Sequence, residues 1–148
     1  MNSLKRLIDH CVWANERWID FLDDNFRSDE YAVKLLGHVF LGERAWFQRV
    51  MGEQPDRDVW KTMTISQLRE IHTQHDAMYR ALSAEDLERV IAYKRFTGEE
   101  YRSSVADILL HLTLHGAHHR GQLATYVSKK GIPPINTDFI QYCLVNRL

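Results

Sequence analysis

Helix breakers are nearly absent from this sequence. Only three prolines occur in 148 residues, and two of them are adjacent, Pro133–Pro134. Proline removes a helical hydrogen bond and clashes with the preceding turn, so its scarcity leaves long stretches free to be helical. Apolar residues recur in those stretches at spacings of three and four, the period of a one-sided helix. Segment 4–22 places Leu4, Leu7, Ile8, Cys11, Ala14, Trp18, Ile19 and Leu22 on one face, with Ser3 as cap. Segment 31–51 does the same with Leu35, Leu36, Val39, Trp46, Phe47 and Val50, and Gly52 follows as a stop. Segment 66–82 carries Leu68, Ile71, Met78, Tyr79 and Leu82. Ser66 is its expected cap, without a capping box because Arg69 stands three residues on. The longest segment, 104–129, has Val105, Ile108, Leu109, Leu112, Leu123, Tyr126 and Val127 in register. Gly131 ends it and Pro133–Pro134 prevents continuation.

Residues 90–102 break the helical pattern. Val90, Ile91, Tyr93, Phe96 and Tyr101 flank Thr97–Gly98, a turn signal, and predict a short hairpin or extended arm. The tail 136–148 holds Phe139, Ile140, Tyr142, Leu144 and Val145 and should pack on the helices. No linker or repeat divides the chain. The expectation is all-α: one domain over 1–148, a four-helix bundle with the hairpin or arm before the last long helix.

A net charge of −1 argues against a nucleic-acid partner, which needs a positive excess. No apolar run is long enough for a bilayer. Acid and amide residues in MNSLKRLIDHCVW stand where a signal peptide needs an apolar stretch. Cys11 and Cys143 have neither metal-motif nor disulfide-framework spacing. The expected setting is the cytoplasm, with both thiols reduced.

Histidine is the unusual residue. Four of the eight (His111, His115, His118 and His119) fall within nine positions. On a wheel of about 100° per residue, the apolar stripe of 104–129 is centred on Val105, Leu109, Leu112, Gly116 and Leu123. His119 lies at its edge and His115 beside it, whereas His111 and His118 turn toward solvent. An i, i+4 pair stacks two imidazoles on one helix face, about 5–6 Å apart at Cβ, which suits two ligands of one metal. Gly116, on the stripe between them, leaves room for a neighbouring helix. Such a pair is often only two polar residues on a wet face. Here the apolar stripe beside it favours a metal, because a histidine at a helix seam needs a partner. A third ligand must come from another helix. His38 competes for that role with His72 and His75, an i, i+3 pair that reads better as core histidines hydrogen-bonded to backbone or a carboxylate. His10 lies away from its own stripe.

The stretch HLTLHGAHHRGQLATYVSKKGIPPINTDFIQY strongly resembles the DinB/YfiT-like family of damage-inducible bundle proteins. That family's H-x-x-x-H-R-G-Q helix corresponds to His115, His119, Arg120, Gly121 and Gln122. Its earlier histidine corresponds to His38, followed by Trp46 and Gly52. Tyr93 and Gly98–Glu99 match its hairpin pattern, and the tail matches as well. The resemblance implies a four-helix bundle, commonly a homodimer, with His38, His115 and His119 holding one divalent metal, nickel or zinc. It also implies a metal-dependent enzyme acting on a small-molecule substrate, of thiol-dependent S-transferase type, with a low-molecular-weight thiol as second cofactor. The alternatives are a metal-dependent hydrolase and a non-catalytic metal-binding or stress-response module.

Neighbouring residues carry expectations of their own. Glu43 sits on an apolar stripe, where an acid needs a partner. It either serves a histidine, as orienter or base, or pairs with an arginine such as Arg120. Gln122 either binds a metal-bound water or caps a helix contact. Trp13, Trp46 and Phe47 read as core, and the run Arg44–Arg49 reads as a solvated helix edge.

Overall fold

The computed structural model describes residues 3–146. Their order is α1 (Ser3–Asn25), α2 (Glu30–Val50), α3 (Ile65–Ser83), β1 (Val90–Lys94), β2 (Glu100–Ser104), α4 (Val105–Lys129) and α5 (Phe139–Val145). The protein is therefore predominantly helical, with one two-stranded antiparallel hairpin. The tail goes further than expected and folds into a fifth, short helix. Its Tyr142 packs on α1 beside His10 and Trp13, at ring-centroid distances of 5.8 and 5.6 Å.

Local chemistry sets most of the ends. Asp29 caps α2, its side chain accepting from Ala32 N at 2.9 Å. It also accepts from the Tyr126 hydroxyl of α4 at 3.0 Å, tying two helices at one end. Ser104 caps α4 through Asp107 N. Ser3, expected as a cap, is the first residue within α1. The cap of α3 differs from expectation: Thr64, not Ser66, precedes it. Thr64 Oγ1 accepts from Gln67 N, and Gln67 Oε1 accepts from Thr64 N. That is a complete capping box, legible as T-x-x-Q two residues upstream of Ser66. Gly52 and Gly131 follow α2 and α4 at φ values of 77° and 83°, where a side chain is strained.

The helices bury two apolar clusters. One contains Trp18, Leu22, Leu36, Phe40, Leu68, Ile71, Leu123 and Val127. The other contains Ile8, Phe47, Tyr79, Leu82, Ile91, Val105, Ile108, Leu109 and Leu112. Along each of α1 to α4 a buried polar residue stands between the two: Asn15, Glu43, His75 and Arg120. Glu43 Oε1 accepts from Asn15 Nδ2 and from the Tyr79 hydroxyl, each at 3.0 Å. Its Oε2 accepts from His75 Nδ1 at 2.7 Å. Arg120 does not pair with Glu43; its Nη1 donates to Asn15 Oδ1 at 2.7 Å, so Asn15 bridges the two. Burial raises the Tyr79 phenol well above its ordinary range and keeps it a donor. Three donors saturating one carboxylate make the acid tolerable in the core. His75 thus has the carboxylate partner expected of a core histidine, and half-buried His72 lies against Phe40. Gly116 leaves room less for a helix than for a side chain, since a Cβ there would lie 2.7 Å from Arg120 Nη1.

Candidate metal centre

Helix α4 presents His115 and His119 one turn apart, and α2 brings His38 against them. The ring centroids are 4.5 Å apart for His115–His119, 5.1 Å for His38–His115 and 4.6 Å for His38–His119. One nitrogen from each ring lies within 4.8 Å of the other two, a spacing able to hold a metal ion. No further His, Cys, Asp or Glu joins this group among the described residues.

The hydrogen bonds around the rings decide which nitrogen faces inward. His38 Nδ1 is 2.8 Å from the Val59 carbonyl, which can only accept, so Nδ1 carries the proton and Nε2 keeps its lone pair. His119 Nδ1 donates in the same way to Gln122 Oε1 at 2.8 Å. Gln122 Nε2 in turn lies 3.3 Å from His118 Nε2. His119 Nε2 and His115 Nε2 approach to 3.2 Å, two nitrogens aimed at one region. Such outer partners lock the tautomer and orientation that a ligating imidazole needs. Gln122 therefore acts on His119 rather than capping a helix contact.

Electrostatics favours the neutral rings of His115 and His38. Burial, and then the neighbouring His119 and His38, push the His115 pKa down to about 3. Burial also holds His38 below its ordinary value, partly offset by the Val59 carbonyl. Neutral imidazole is the form that binds metal. A nitrogen-only donor set of three suits a divalent transition-type metal better than calcium or magnesium, which take oxygen.

Two contacts lay outside what periodicity could reveal. Trp60, in the segment between α2 and α3, stacks on His38 at 3.6 Å with an interplanar angle of 2°. It forms a wall of the site although 45% exposed. Its only sequence signal is a large aromatic in a polar loop. Gly42 makes room for His115, since a Cβ there would stand 3.0 Å from its Cε1. A glycine four residues after His38, inside a helical pattern, was the available sign.

The other histidines fall elsewhere. His118 is exposed on α4. His10 Nε2 meets the Thr137 carbonyl at 2.7 Å. His111 lies against Trp46, 5.4 Å between centroids, and one turn before His115. Trp46 is half-buried against Tyr93 and His111 rather than enclosed in the core. Arg49 is half-buried too, its guanidinium over Trp46, Tyr93 and Phe96. That part of the run 44–49 is a cleft wall and not a solvated edge.

Among the described residues no helix is long and apolar enough to cross a membrane. The family model described as DinB family matches residues 1–145. No curated protein matches the chain.

Proposed function

The chain belongs to the DinB family, and from that premise we propose that it is a metal-dependent enzyme of thiol-dependent S-transferase type, with His38, His115 and His119 holding one nickel or zinc ion. The observation that carries this reading is the inward aim of three imidazoles with no fourth protein donor in the group among the described residues. Three protein ligands with an open position are the pattern of catalytic rather than structural sites. A divalent ion held there would supply a Lewis acid able to keep the thiol of a small cofactor ionised near neutral pH.

The chain's own residues have definable tasks in this reading. The Val59 carbonyl and Gln122 Oε1 hold the Nδ1 protons of His38 and His119. Trp60 covers one face of His38 and limits the approach of water from that side. The small-molecule electrophile reaches the thiol from the remaining open side. A cytoplasmic setting accords with Cys11 and Cys143 as free thiols.

The test is spectroscopic. Cobalt- or nickel-loaded protein is titrated with a small thiol, and a sulfur-to-metal charge-transfer band is expected that water does not produce. Thiol binding releases a proton, so apparent affinity should rise with pH until the free thiol ionises unaided. A fully loaded protein whose spectrum ignores every thiol would remove the transferase reading. It would leave a water-activating hydrolase or a non-catalytic module.

A homodimer belongs to the same proposal. Leu114 on α4 and Ile140, Leu144 and Val145 on α5 are more than half exposed, an apolar cost that a second copy would relieve. Light scattering is expected to give twice the 17.5 kDa chain mass. A monomeric mass at micromolar concentration would exclude the dimer.

A further inference from the structure

A cleft of about 560 Å³ opens between the C-terminal part of α2, the hairpin and the first turns of α4. Trp46, Tyr93 and Phe96 give it flat apolar walls, with Arg49 among them. The Arg49 guanidinium carbon lies 4.6 Å from the Trp46 ring centroid, 5.2 Å from Phe96 and 5.6 Å from Tyr93. Buried Arg120 donates to Asn15 Oδ1, and half-buried Arg6 donates through Nη2 to Cys143 Sγ although its Nε has no acceptor. Arg49 has aromatic faces but no anion. Among the described residues no ion pair or hydrogen bond reaches its guanidinium, and its Nε is shut off from solvent without an acceptor.

A cation half-removed from water and stacked on rings is held in place but not neutralised. Stacking fixes the plane of the guanidinium and leaves its in-plane donors for a planar anion. The cleft contains two arginines, Arg49 and Arg95, against one carboxylate, Asp107. That balance suits one negative charge better than two. The aromatic walls suit a flat apolar body attached to it. His111 also lines the cleft, and its ring is 5.7 Å from that of His115. A ligand seated on Arg49 would therefore extend along α4 toward the three-histidine group.

We infer that this cleft binds a small-molecule monocarboxylate with a flat apolar body, anchored by Arg49 and stacked between the aromatic walls. Its identification as the electrophilic substrate rests on the transferase reading; the binding itself does not.

The experiment is an NMR titration of the full chain with equimolar zinc, following the Arg49 Nε–Hε, the Trp46 indole and the histidine ring resonances. The probes are cinnamate, its uncharged amide and phenyl phosphate. Cinnamate is expected to shift the Arg49 and Trp46 signals saturably, with the amide at least about tenfold weaker, the loss of one charge-assisted contact. Arg49→Gln should bring acid and amide to the same affinity, and Arg49→Lys should fall between. Equal binding of acid and amide by the wild type overturns the proposal without any variant having to fold. Shifts confined to the histidine rings would place the carboxylate on the metal and overturn it as well. Tighter binding of phenyl phosphate than of cinnamate would replace the carboxylate assignment. None of these outcomes depends on the thiol band, so the cleft and the transferase reading fail separately.

Discussion

Alanine at His115 or His119 is expected to abolish stoichiometric metal binding. Each substitution removes one of three imidazoles whose nitrogens lie within 4.8 Å of one another. Losing an outer partner of a metal ligand lowers affinity by roughly 10- to 100-fold, so losing the ligand should exceed that. A graded series follows. His38→Ala, His115→Ala and His119→Ala should each lose the ion on dialysis. Gln122→Ala frees the His119 ring it orients at 2.8 Å and should weaken binding by about 10- to 100-fold. His118→Ala, an exposed residue beyond that glutamine, should retain one ion per chain. Heat denaturation gives an independent readout. An ion at about a thousand times its dissociation constant stabilises the folded state by about 4 kcal/mol. For a chain of this size that raises the midpoint by roughly 10 °C. Zinc should produce this full rise in wild type and His118→Ala, part of it in Gln122→Ala, and none in the three ligand variants. Full metal content in His38→Ala would show that His38 is not the third ligand. A loss in His118→Ala equal to that in His115→Ala would mean the ligating face of α4 is rotated.

Glu43→Ala should be the most destabilising single change away from the metal. The side chain is completely buried and accepts hydrogen bonds from Asn15, Tyr79 and His75. Its removal strands three donors inside the core and leaves a cavity. Breaking a buried, hydrogen-bonded charged group costs about 3–5 kcal/mol. The midpoint should fall by roughly 10 °C. Glu43→Gln retains the shape and one acceptor and should lose less. Because Arg120 is tied to Asn15 at 2.7 Å and not to Glu43 directly, Arg120→Met should be partly non-additive with Glu43→Ala. The remaining folded Glu43→Ala protein should still bind one ion, since the carboxylate touches none of His38, His115 or His119. A midpoint within a degree or two of wild type would show that the polar layer does not hold the bundle together.

Both expectations show where the sequence was informative. The helices were legible because their determinants are local: a 3.6-residue apolar period, few prolines, and glycines at 52 and 131. The pairing of His115 with His119 was legible for the same reason, since i and i+4 share a helix face whatever the helix packs against. The hairpin is legible in Thr97–Gly98, and the capping box of α3 in Thr64 and Gln67, two residues before the competing cap signal of Ser66.

Other assignments depended on how the helices are rotated and spaced, which no single periodicity contains. His38 and His75 both lie on apolar faces, and only the packing of α2 on α4 and α3 turns one toward His115 and the other toward Glu43. The family resemblance favoured His38, but the wheels of α2 and α3 alone left the two open. Glu43 was recognisable as an acid needing partners, yet those partners came from α1 and α3, and Arg120 reached it only through Asn15. Trp46 and Arg49 looked like core and solvated edge because their surroundings include the hairpin, some fifty residues on in the chain. Local sequence sets backbone conformation through contacts a few residues apart. The partners of a buried polar group, and the walls of a cleft, are set by which distant side chains the core brings within hydrogen-bonding or van der Waals range.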